Sequence, residues 1–116
     1  MKAVPLLDNR RSYETLSGKT VVIEMDLYKL PDASTTGDLG SQFRFSWIAF
    51  DEEAPNQRVL FDCHAPKGMH YHIDEDKEGQ SFTCASISEA IQLFQEKVKE
   101  RFGELQELPN DGGNER

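Results

Sequence analysis

The sequence predicts a single α+β domain, an antiparallel sheet of about five strands with one long C-terminal helix packed on one face. Three observations carry this. Two segments alternate apolar and polar residues with period two, as half-buried strands do. One later segment repeats its apolar residues at helical spacing. Clusters of Gly, Pro, Asp and Ser punctuate the chain between them. At 116 residues the chain has the length of one domain. The domain is expected over residues 1–103, with 104–116 as a frayed or disordered acidic tail.

Taken in order, Arg10 to Leu16 is a weak first strand, and Ser17-Gly18-Lys19 is a turn. Val21, Ile23, Met25 and Leu27 then share one face of the clearest strand. Pro31 to Ser41 is a loop. Phe43, Phe45, Trp47 and Ala49 line one face of the next strand, and Arg44, Ser46 and Ile48 the other. After a polar turn over Asp51 to Asn56, Val59 and Phe61 point one way and Arg58, Leu60 and Asp62 the other. Ala65-Pro66-Lys67-Gly68 suits a type I turn. The chain resumes as Met69-His70-Tyr71-His72-Ile73, passes an acidic turn over Asp74 to Gln80, and reaches a short strand over Ser81 to Cys84.

The helix is marked at both ends. Ser86-Ile87-Ser88-Glu89 is a capping box, in which Ser86 accepts from the Glu89 amide and Glu89 reaches back. Ile87, Ala90, Ile91, Phe94, Val98 and Phe102 form one apolar stripe. Gly103 stands at the C-terminal cap. The aromatic face of the sheet is the natural partner of this stripe. The opposite sheet face is then expected to lie open to solvent.

Hydrophobic residues make up only 37% of the chain, so its aromatics must carry much of the core. The formal charge of -8 repels a phosphate backbone at long range and favours a basic partner. Two isolated cysteines, Cys63 and Cys84, make no disulfide framework. No signal-peptide core and no membrane-spanning run is present, so a cytoplasmic protein is expected.

All three histidines lie between Asp62 and His72. Period two places His70 and His72 on the outward face, opposite Met69, Tyr71 and Ile73. Asp62 is on the outward phase of the preceding strand and meets them if the two strands pair. Such imidazoles can act as acid and base on a phosphodiester, with Lys67 on the phosphate. They can also ligate a metal drawn from His70, His72, His64 and Cys63, with Asp62 adding a ligand. Singly, each is a solvated polar residue. No cofactor is expected.

The segment Phe61-Asp62-x-His64-x-Pro66-Lys67-Gly68-x-His70-x-His72-Ile73 resembles the signature of TumE-like proteins, the proposed toxin component of a bacterial toxin–antitoxin pair. The order of strands, histidine segment and apolar-aromatic helix also fits. The match in layout covers roughly residues 20–103 and is specific over 61–73. It departs from the family at Cys63, where Asn is expected. The resemblance implies a cognate antitoxin as partner and, because such toxins are often ribonucleases, an RNA substrate. Asp62, Lys67, His70 and His72 are then the catalytic candidates of a metal-independent endoribonuclease. A non-enzymatic interaction module and a small metal-binding protein are the alternatives. Exposed sheet edges admit a homodimer.

Overall fold

Alternation in the second and third strands builds the centre of the sheet. Val21, Leu27, Phe45, Trp47, Ala49, Val59, Phe61, Cys63 and Met69 are all buried on one face. The computed structural model describes residues 3–31, 42–64 and 68–107. Its elements are β1 (Val4–Thr15), β2 (Thr20–Lys29), β3 (Phe43–Asp51), β4 (Ala54–His64), β5 (Gly68–Ile73), β6 (Gln80–Ser81), α1 (Ile87–Phe102) and β7 (Leu105–Glu107). They form one seven-stranded sheet in the order β6-β5-β4-β3-β2-β1-β7. Every neighbouring pair is antiparallel.

The α+β class holds, with a helix packed on one face of the sheet, and among the described residues the strand count is corrected from about five to seven. The additions lie at the ends. β1 spans Val4 to Thr15, far beyond the short segment expected at Arg10 to Leu16. It lies next to the short edge strand β7 with little burial on either face, so it carries no period-two signal. β7 falls inside the segment expected to be a frayed tail. Leu105, Gln106 and Glu107 pair with Thr15, Glu14 and Tyr13, and Arg11 Nη1 donates to Glu107 Oε2 at 2.6 Å. The helix, expected to be long and C-terminal, is short at 16 residues, and β7 follows it, so it is not the last element. Residues 32–41 of the expected loop, residues 65–67 of the expected turn and residues 108–116 lie outside the described residues.

The helix begins and ends as its sequence dictates. Ser86 Oγ accepts from the Glu89 amide at 3.2 Å, and Glu89 Oε1 accepts from the Ala85 amide at 2.9 Å. Gly103 closes it at φ 82°, a region that favours glycine, with its amide donating to the Lys99 carbonyl. Ala90, Phe94 and Val98 are the buried stripe. Phe94 packs against Trp47 and Phe61, with ring centroids 5.8 and 5.3 Å apart. Along the sheet, Trp47 stacks on Phe45 at 4.0 Å, and Phe61 stacks on Tyr71 at 5.0 Å. The buried indole N–H of Trp47 donates to the Asp26 carbonyl at 2.8 Å, so this polar atom is satisfied.

The face away from the helix is less open than expected. Val22 and His70, both on that face, are 1% and 2% exposed. Val22 lies between its strand partners Ser12 and Phe50. His70 lies between two other imidazoles, as described next. No helix among the described residues is long and apolar enough to cross a membrane.

Candidate functional site

Register assembles the site. β4 and β5 pair so that Phe61 faces Tyr71 on the helix side and Asp62 faces His70 on the other. The aromatic stack fixes this alignment, because a one-residue slip would turn every side chain to the wrong face. His64 ends β4 opposite Gly68, and His72 lies opposite Leu60. The three imidazoles therefore run in a line along one face. His64 and His70 stand edge to face at 5.5 Å, and His70 and His72 at 5.2 Å.

Asp62 stands beside this line. Its Oδ2 is 3.6 Å from His64 Nε2 and 3.9 Å from His70 Nε2. One ligand atom from each of Asp62, His64 and His70 fits within 4.8 Å of the others. Tetrahedral coordination at bond lengths of about 2.0–2.1 Å needs ligand atoms roughly 3.4 Å apart. The two carboxylate distances are close to that.

Tautomers follow from backbone contacts. His70 Nδ1 is 2.9 Å from the Gly68 carbonyl, and His72 Nδ1 is 2.8 Å from the Asp76 carbonyl. A carbonyl only accepts, so each Nδ1 carries the proton and donates. That leaves each Nε2 with its lone pair. An Nδ1–H anchored on a carbonyl with Nε2 turned to the ligand position is the usual support of a metal-binding histidine.

A strap of residues 74–79 holds His72. It starts at Asp74, which has φ 56°, a left-handed conformation that Asp tolerates better than most residues. Its Oδ1 accepts from the Arg58 amide at 3.0 Å and from Arg101 Nε on α1 at 2.9 Å. Desolvation pushes the Asp74 pKa up, but hydrogen bonds from Arg101 and the Arg58 amide, with both guanidinium charges, outweigh it and hold the carboxyl below its ordinary value. A depressed carboxyl stabilises the fold above its unfolded pKa and loses that contribution as pH falls through the folded one. Asp74→Asn is therefore expected to lower stability at neutral pH by about 0.5–1 kcal/mol. The difference from the wild type should begin to shrink below about pH 4 and close as pH falls through the lowered folded-state value. Urea unfolding of both proteins across pH 3 to 7 checks it.

The strap ends at Gly79, with φ +74°. A Cβ there would sit 2.6 to 2.9 Å from atoms of the His72 ring. Gly79→Ala is thus expected to displace the imidazole and break its bond to Asp76. The strained φ and the clash together cost about 1–2 kcal/mol. Denaturation gives the energy, and the His72 ring resonances report the movement.

Of the residues expected in the site, Asp62, His64, His70 and His72 come together. Cys63 does not. It alternates to the other face, is buried in the core, and donates from Sγ to the Phe43 carbonyl at 3.4 Å. It leaves the metal set, and so does His72, whose ring lies beside His70 but outside the converging group of Asp62, His64 and His70. Lys67 lies outside the described residues. His70 faces away from the helix as expected but is buried rather than solvated, walled by His64 and His72. Sequence reading missed the strap, since an acidic run reads as a solvated turn until Arg58 and Arg101 are seen to hold it.

The chemistry of this face has to speak for itself. Comparison of the chain with family models, curated proteins and solved structures finds no match.

Proposed function

We propose that Asp62, His64 and His70 bind one divalent transition-metal ion and that the protein acts through the coordination position they leave open. The carrying observation is the convergence of Asp62 Oδ2 with His64 Nε2 and His70 Nε2, at 3.6 and 3.9 Å, with the His70 Nδ1 proton committed to a backbone carbonyl. Three protein ligands plus a free position are the pattern of a catalytic metal site, whereas structural zinc sites close all four. Two imidazoles and a carboxylate suit zinc, iron, nickel or copper better than magnesium or calcium. A chain of net charge -8 also favours a cation over an anion. His72, 5.2 Å from the His70 ring, is the neighbouring imidazole that would supply acid–base chemistry beside the ion if one is bound.

A metal-independent endoribonuclease is the second reading, supported by the TumE-like signature and by the 5.2 Å approach of His70 to His72. Here these two act as acid and base, Asp62 orients His70, and Lys67 holds phosphate. The burial of His70, 2% exposed, counts against it, because a walled-in imidazole does not reach the backbone of a polymer. A buried imidazole is an ordinary metal ligand. The toxin role and a basic cognate antitoxin are compatible with either chemistry.

Protein purified without an affinity tag should carry close to one zinc, iron, nickel or copper ion per chain, or take one up on titration. Cleavage of RNA that stops in chelator and returns with the metal supports the first reading. Cleavage indifferent to chelator supports the second. Failure to bind any of these ions overturns the metal centre.

A further inference from the structure

On the helix side of the sheet, α1, β1, β2 and the start of β7 surround a cavity of about 210 Å³. Ile23, Phe94, Val98 and Leu105 give it an apolar wall. Phe94 and Val98 are 1% and 4% exposed, so part of that wall is core rather than surface. An apolar cavity left empty forfeits dispersion contacts with its lining, and a ligand of the right size restores them.

Size selects the ligand first. Apolar cavities of about 150 Å³ hold benzene. In proportion, this one holds roughly eight or nine heavy atoms, the size of an indole or a substituted phenol. A long acyl chain is too large for it. Polarity selects next. Tyr13 and Gln95 line the cavity beside the apolar residues. Neither the Tyr13 hydroxyl nor the Gln95 amide has a hydrogen-bond partner among the described residues. Each can donate to a ligand or accept from it. Charge selects last. Lys99 and Glu104 also line the cavity, but they bond each other at 2.7 Å and stand largely in solvent. Each charge has its partner, so neither draws an ion inside, and a carboxylate ligand would have to break the pair.

We propose that this cavity binds a neutral aromatic molecule of one or two fused rings, with one hydrogen-bonding group that meets Tyr13 or Gln95. The site is independent of the proposed metal centre, which lies on the other face of the sheet on β4 and β5.

Titration of the full chain with indole tests it, followed by calorimetry and by the methyl resonances of Ile23, Val98 and Leu105. Indole is expected to bind with a Kd below about 1 mM and to shift those methyls. Benzoate, of similar size but charged, should bind at least about tenfold more weakly. Gln95 is an exposed helix residue, so Gln95→Trp should leave melting nearly unchanged while its ring obstructs the cavity and weakens indole at least about tenfold. Tyr13→Phe combined with Gln95→Leu keeps the cavity and removes both polar partners. That double variant should bind indole roughly three- to tenfold more weakly and toluene as the wild type does. Absence of indole binding at millimolar concentration, shifts confined to other residues, binding that survives Gln95→Trp, benzoate that binds as tightly as indole, or a double variant that binds indole like the wild type would each overturn the proposal.

Discussion

Phe61→Ala should remove about 3–5 kcal/mol of stability, the usual cost of deleting a large aromatic from a packed core. Phe61 has no exposed surface and touches neighbours from every layer. It stacks on Tyr71, and its ring centroid lies 5.2 Å from Phe82, 5.3 Å from Phe94 and 6.5 Å from Trp47. No single neighbour can close the void without leaving its own contacts, so the site collapses poorly and the cost falls high in the range. Small domains are stable by only about 5–15 kcal/mol, so this variant should be partly unfolded at modest urea. Tyr71→Phe is the control. It keeps the ring and loses only a solvent-accessible hydroxyl bond to Gln80, so it should cost less than about 1 kcal/mol. Equal losses in the two variants would mean that the stack does not organise the core.

The same residue links stability to the geometry of the proposed site. Phe61 faces Tyr71 across the β4–β5 ladder, and the next pair along it is Asp62 with His70. Core packing on one face thus sets the spacing of polar groups on the other. Phe61→Ala should therefore weaken metal binding even in its folded fraction, although it lies on the opposite side of the sheet.

How much of this was legible in the sequence depends on burial. β2, β3 and the helix each bury one face, so their periodicity is written in Val21, Phe45, Trp47, Phe94 and their neighbours. β1 and β7 are held by ladder bonds and exposed charge pairs such as Arg11 with Glu107, which leave no hydrophobic period to read. At the site, period two separated His70 and His72 from Tyr71 and placed Asp62 on their side. Alternation alone sends Cys63 to the core, against the ligand chemistry that makes it a metal candidate. The burial of His70 was not legible, because it depends on His64 and His72 closing in from both sides.

A ligand series at the proposed metal centre should show a steep hierarchy. Losing an outer partner of a metal ligand typically lowers affinity about 10–100-fold, and losing a ligand itself should cost more. His64→Ala, His70→Ala and Asp62→Asn should each weaken zinc binding by more than about 100-fold in competition with a chromophoric chelator. His72→Ala should change it far less, since its Nδ1 is tied to Asp76 and it stands outside the converging set. Cys63→Ala should lower affinity far less than a ligand substitution while costing core stability, because its sulfur lies on the other face and supplies no ligand atom. Thermal melting gives a second readout. At a hundredfold excess over the dissociation constant, binding adds about 2.7 kcal/mol, which for a domain of this size raises Tm by roughly 10–20 °C. That shift should vanish in the three ligand variants and persist in His72→Ala. The contrast between His70 and His72 separates the two readings. A metal centre uses them unequally in binding, with His72 needed only for turnover, whereas an acid–base pair needs both for turnover and neither for a metal-dependent shift in melting.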